Sequence, residues 1–165
     1  MTIADTAALL QTLARDCGAR RILEVGTGAG QFTLSLAAAL PADGMMIRME
    51  AEAASAGRTR AELAAAGYAD RVSVMVGEAA RFLHKIAGPF DLIVQGGAPV
   101  VDESMHERLI ALLRPNGVLV TDNIGGNGDH DPVVAFSHRL AADPRLQTSF
   151  LPVGGGVAIS VKRAS

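Results

Sequence analysis

Cysteine is almost missing from this chain of 165 residues: Cys17 stands alone, so no internal disulfide can form and a stapled extracellular scaffold is excluded. The opening residues have neither the basic start nor the long apolar stretch of a secretion signal, and a cytoplasmic location is therefore the expectation. No apolar run approaches the ~20 residues needed to span a bilayer, which removes the membrane as an expected partner. An excess of one charge is missing too. Fifteen Lys and Arg stand against seventeen Asp and Glu, a formal charge of -2, and no basic run occurs, so nucleic acid is not an expected partner either. Linkers, composition breaks and long repeats are also absent. What is there is a chain 49% apolar with positive mean hydropathy, read as one folded domain over 1–165 with room for a real core.

Along the chain, helical and strand patterns alternate. Residues 5–16 carry apolar side chains at helical spacing and end at Gly18, giving a short N-terminal helix over about 1–18. RRILEVG then reads as a strand. FTLSLAAAL (helix), MMIRME (strand), ASAGRTRAELAAAG (helix) and RVSVMVG (strand) follow, and then EAARFLHKIAG (helix), FDLIVQ (strand), DESMHERLIALLR (helix) and GVLVTDN (strand). PVVAFSHRLAADP is a further helix, and RLQTSFLP and GVAISVKR form a closing strand pair through glycines 154–156. Alternating units predict an α/β fold, a mostly parallel sheet with helices on both faces and one antiparallel hairpin at its edge.

The segment EVGTGAG, residues 24–30, follows a strand and opens a helix. In that setting Gly26, Gly28 and Gly30, with Thr27 between them, let backbone approach a ligand near a helix N-terminus. The spacing departs from the dinucleotide fingerprint, because Gln31 stands where its third glycine belongs. A nicotinamide-dependent oxidoreductase is disfavoured. Glu50 closes the second strand twenty residues beyond Gly30, a place suited to a carboxylate that accepts from both ribose hydroxyls, with Ala51 beside it. Glu78, after Gly77 and before Ala79, has two open readings: acceptor for an adenine amino group, or plain helix N-terminal carboxylate. Glu24 lies inside a strand expected to be buried and needs a partner, which an ammonium group on the ligand would supply.

Together ILEVGTGAG, GYADRVSVMVGEA, FDLI, LLRPNGVLVTDN and LAADPRL resemble the class I S-adenosylmethionine-dependent methyltransferases. Within these, the chain is similar to the small O-methyltransferase family that includes the catechol and caffeoyl-CoA enzymes. The resemblance implies a Rossmann-like seven-stranded sheet with an antiparallel last strand, and O-methyl transfer from S-adenosylmethionine to a small-molecule hydroxyl. It implies that Gly26 and Gly28 approach the methionine part and Glu50 holds the ribose. Gly77, Glu78 and Ala79 would border the adenine, with Glu24 and Gln95 completing the cofactor set. A homodimer is expected from the resemblance and the positive hydropathy.

The departures from the family are as informative. Its fourth strand typically ends in a metal-binding aspartate, with a lysine three residues on; here those places hold Gly96 and Pro99. The other two family ligands are matched by Asp122 and Asn123, so a divalent metal such as magnesium is expected to bind weakly or not at all. A base must then be found elsewhere. Asp122 is one candidate, and His130, in the loop DNIGGNGDHDP, is another; His130 also reads as loop surface, since Asp131 and Pro132 are an ordinary N-cap and N1 pair. His84, His106 and His138 read as surface or packing residues. The stretch before EVGTGAG is shorter than the family's lid, and Gln31 and Phe32 replace its usual tyrosine and serine. A non-catalytic cofactor-binding relative is the alternative function.

Overall fold

The computed structural model describes residues 2–164 except Thr27, Ala29, 97–101, Asn127, Asp129 and His130. The chain opens with helix α1 (Ile3–Asp16), then runs β1 (Arg21–Val25), α2 (Thr33–Ala39), β2 (Met45–Glu50), α3 (Ala53–Ala65) and β3 (Val72–Val76). It continues through α4 (Ala79–Phe82), a 3-10 turn (Leu83–Lys85), β4 (Phe90–Gln95), α5 (Glu103–Leu112), β5 (Leu113–Asp122), α6 (Pro132–Ala142), β6 (Leu146–Leu151) and β7 (Val157–Lys162). The sheet order is β3-β2-β1-β4-β5-β7-β6. Strands β1 to β5 are parallel, and β7 runs antiparallel between β5 and β6. The alternation and the closing hairpin expected from the sequence are both present.

Central strands read as nearly continuous apolar runs because both of their faces are covered. On one face Ile22, Leu92, Val94 and Val120 pack with Leu10, Leu36 and Leu63 of α1, α2 and α3. On the other, Leu23, Ile93 and Leu119 meet Leu109, Ile110, Phe136 and Leu140 of α5 and α6. The chain works outward from β1 to β3 and then returns to β4. Neighbouring strands β1 and β4 therefore leave the sheet in opposite directions, and the crevice at their carboxyl ends is where an open α/β sheet takes a ligand.

Two boundaries differ from the sequence reading. EAARFLHKIAG forms one helical turn and a 3-10 turn rather than a full helix, because Arg108 of α5 donates to the carbonyls of Leu83 and Ile86 at 2.9 and 2.6 Å. Helix α5 stops at Leu112 and β5 begins at once, where the sequence suggested helix through Arg114. There Lys162 Nζ donates to the carbonyls of Ile110 and Leu113, and Arg114 turns to Asp91 at 2.6 Å. Asp131 caps α6 as expected, accepting from Val133 N–H at 2.9 Å with Pro132 at the first position.

Asp91 also accepts the N–H groups of Arg20 and Arg21, each at 2.8 Å. Burial works to raise this carboxyl, but Arg114 and the two N–H donors outweigh it and hold it below its ordinary value. Its contribution to stability is therefore present above the unfolded value of about 3.9 and is lost as pH falls through the lower folded one. Urea midpoints measured from about pH 7 down to about pH 2 should show a shallower acid limb in Asp91→Asn than in the parent.

Candidate functional site

The glycine turn after β1 sits at the mouth of that crevice. Gly26 has φ +63°, and a Cβ there would lie 2.8 Å from the carbonyl oxygen of Gly96, at the end of β4. Gly30, at φ +79°, would place a Cβ 2.7 Å from Thr59 Oγ1 on α3. At Gly26 backbone is thus held against backbone where a side chain cannot fit, and Gly96 N–H closes the seam by donating to Val25 O at 3.1 Å.

Two cavities flank the turn. The first, about 450 Å³, is lined among others by Gly26, Met49, Ala51, Gly77, Glu78, Ala79, Gly96 and Asp102. Four segments far apart in sequence meet there, and Gly26, Ala51, Gly77, Glu78 and Ala79 share its wall. The second, about 250 Å³, lies between α1 and the end of β5, with Ile3, Thr6, Gly28, Gln31, Phe32, Asp122, Asn123, Gly154 and Gly155 on its walls. The short N-terminal helix supplies one of those walls. Thr27 and His130 lie outside the described residues, as does Pro99.

Glu50 stands at the end of β2, next to Ala51. Its Oε1 accepts from Glu52 N–H at 3.1 Å, and its Oε2 from Ser55 at 3.2 Å and Arg48 at 2.5 Å. Burial alone would raise this carboxyl, yet the Glu52 N–H and Arg48 prevail and hold it below its ordinary value. Glu78 occupies the N-cap of α4 without a side-chain cap bond; it is exposed and 3.7 Å from Arg81.

Two residues expected to touch the cofactor have partners within the chain. Glu24 is fully buried, and its partner is within the chain: Arg48 Nη1 lies 3.0 Å from Oε1, and Thr33 Oγ1 donates to Oε2 at 2.7 Å. No ligand ammonium is needed to account for it. Gln95 is likewise 0% exposed; its Nε2 donates to Thr121 Oγ1 at 2.9 Å, its Oε1 has no partner among the described residues, and Gly96 rather than Gln95 reaches the first cavity.

Asp122 is half-buried, and burial pushes its carboxyl above the ordinary value against the opposing Asn123 N–H. Asn123 follows at φ +59°. Among the described residues, no three of His, Cys, Asp and Glu gather as a metal site would require; Asp122 and Asn123 face the second cavity, whereas Gly96 borders the first and has no side chain to donate. His84 and His138 are exposed, whereas His106 is buried, 3.2 Å from Asp143 and edge-on to Phe136.

Sequence reasoning missed Arg48 and Asp102. The signal for Arg48 was present: an arginine inside an apolar strand, two residues before Glu50 and so on the same face. Asp102 caps α5, accepting from Ser104 N–H at 2.8 Å, and also borders the first cavity.

Comparison with known proteins agrees with this geometry. A family model described as O-methyltransferase matches residues 1–163. A catechol O-methyltransferase of Niastella koreensis is 36% identical over 172 residues, covering 92% of this chain and 77% of that protein. Caffeoyl-CoA O-methyltransferase 1 of Eucalyptus globulus is 28% identical over 179 residues, covering 96% and 73%. Among solved structures, an O-methyltransferase from Bacillus cereus in complex with SAH superposes with a TM-score of 0.86 at 30% identity, covering 96% of this chain and 80% of that one. The O-methyltransferase TomG from Streptomyces achromogenes, in complex with SAM, gives 0.87 at 30% identity with the same coverage.

Proposed function

We propose, from the premise that this chain belongs to the O-methyltransferase family, that it methylates a small hydroxylated molecule without depending on a divalent metal. The enzyme uses S-adenosylmethionine as its methyl donor. The observation that carries the reading is the convergence of the Gly26 turn, Ala51 beside Glu50 and the segment Gly77–Ala79 on one cavity of about 450 Å³.

The residues present fit the cofactor. Bare backbone at Gly26 and Gly28 suits the methionine part, the ionised Glu50 suits the ribose hydroxyls, and Gly77, Glu78 and Ala79 suit the adenine. Bound S-adenosylmethionine supplies a methyl group on a sulfonium, so the chain's own task is to align the acceptor oxygen and take its proton. The second cavity, with Gly28 at one end and Asp122 at the other, is the proposed acceptor pocket. Asp122 holds the acceptor hydroxyl and receives its proton, with His130 the other candidate base. The residues do not fit the family's metal: only the Asp122 and Asn123 positions carry donors and the third is Gly96. A single methyltransferase domain over 1–165, a cytoplasmic location and a homodimer belong to the same reading. They are supported by the lone cysteine, by the absence among the described residues of any helix long and apolar enough to cross a membrane, and by exposed Phe150 and Val161 on β6 and β7.

Calorimetric titration with S-adenosylmethionine and its demethylated product, in EDTA and again in excess magnesium, tests the cofactor half. Affinities should agree within about twofold, since Asp122 and Asn123 line the second cavity and not the first. Methyl transfer to a panel of small phenols and alcohols should persist in EDTA. Activity lost in EDTA and restored by magnesium would overturn the metal-independent reading.

A further inference from the structure

Arg48 joins three parts of the site through one guanidinium. Its side chain is 1% exposed. Nη1 faces Glu24 at 3.0 Å and donates to Thr33 Oγ1 at 3.2 Å. Nη2 donates to the carbonyl of Gly28 and to Glu50 Oε2, both at 2.5 Å. Register explains the arrangement: Glu24 and Arg48 are paired positions on neighbouring strands, and Arg48 and Glu50, two apart, share a sheet face.

A buried ion pair is seldom worth more than an apolar pair of the same size. Met46, two residues earlier on the same strand and also buried, shows that this strand accommodates an apolar side chain. The guanidinium therefore needs a reason other than stability. It is the contact common to the two parts proposed to meet the cofactor, the Gly28 turn and the Glu50 carboxylate. Ser55 and the Glu52 N–H also hold Glu50, but neither bonds to the described residues of the turn. One cation between two carboxylates leaves a net charge of -1, and exposure decides where it is presented: the Glu24 side chain is 0% exposed and that of Glu50 is 12%.

We propose that Arg48 is a positioning residue for the cofactor, anchored from behind by Glu24 and fixing the Glu50 carboxylate relative to the Gly28 carbonyl so that the nucleoside and methionine contacts are preformed. This rests on the reading that Glu50 receives the ribose hydroxyls. A planar fork is required, because an ammonium is a point charge and cannot reach both carboxylates and the carbonyl along fixed directions.

The test compares three variants of the full chain by thermal unfolding and by calorimetry with S-adenosylhomocysteine. Glu24→Gln with Arg48→Met removes the buried pair in a charge-balanced way, so the fold should survive with its melting temperature near that of the parent. Its affinity for the nucleoside should nonetheless fall about tenfold, the loss of one charge-assisted contact network. The acid limb of binding should also begin at higher pH than in the parent. Glu50 is faced by Arg48 from β2, with Glu24 behind it on β1, and by Ser55 and the Glu52 N–H from the start of α3; without Arg48 its burial is opposed by fewer groups. Arg48→Lys should bind with intermediate affinity. Glu50→Gln separates the two ideas. If it binds weakly while the double variant binds like the parent, with an unmoved acid limb, the positioning role is overturned and the ribose role stands. If Glu50→Gln binds like the parent, both fall.

Discussion

Asp122→Asn is expected to lower turnover about 100-fold or more while leaving affinity for S-adenosylmethionine within about twofold of the parent. The substitution keeps the shape and hydrogen-bonding reach of the side chain and removes its capacity to take a proton. Asp122 borders the cavity proposed to take the acceptor and not the one that collects Ala51 and Gly77, so a loss confined to turnover is what its position implies. Its environment suits the role, since burial raises the carboxyl above its ordinary value and makes it a better proton acceptor than an exposed aspartate. Adding magnesium should not restore the variant. The measurement pairs initial rates on the acceptor found in the panel with calorimetry of the cofactor. If Asp122→Asn turns over normally and His130→Ala does not, the base is the histidine.

How much of this was legible in the sequence depended on whether the deciding contact was local. The alternation of strands and helices was readable because strands covered on both faces, such as FDLIVQ, show as unbroken apolar runs. The glycine turn was readable because Gly26 and Gly30 must adopt positive φ against close neighbours, and glycine marks such places. The start of β5 was not readable. Arg114, Pro115 and Asn116 look like the end of a helix, and what makes them strand is Arg114 meeting Asp91 across the sheet. The short α4 was hidden for a similar reason, since the carbonyls of Leu83 and Ile86, just beyond it, are taken by an arginine from α5. Glu24 is the most instructive residue. The need for a partner could be read from its strand, but the partner could not, because sequence does not give the register between β1 and β2. Asp122 and Asn123 were visible through family resemblance alone.

That same residue carries the largest expected loss of stability. Glu24→Ala should destabilise the fold by about 3 kcal/mol, the lower end of what removing one member of a buried pair costs. The guanidinium of Arg48 would remain buried with one fewer carboxylate, and the Thr33 hydroxyl would lose the oxygen it donates to. The lower end is appropriate because Glu50 still faces Arg48 at 2.5 Å and Gly28 O still accepts from it. For a chain of this size that is a fall in melting temperature of about 6 to 12 °C. Asp43→Ala serves as the control. It breaks an ion pair of similar geometry with Arg20, but with side chains 65% and 62% exposed, and water screens such a pair enough that its loss should barely register. If the two variants unfold at the same temperature, burial is not what gives the Glu24 contact its value, and the charge-balanced double variant would then have no stability to recover.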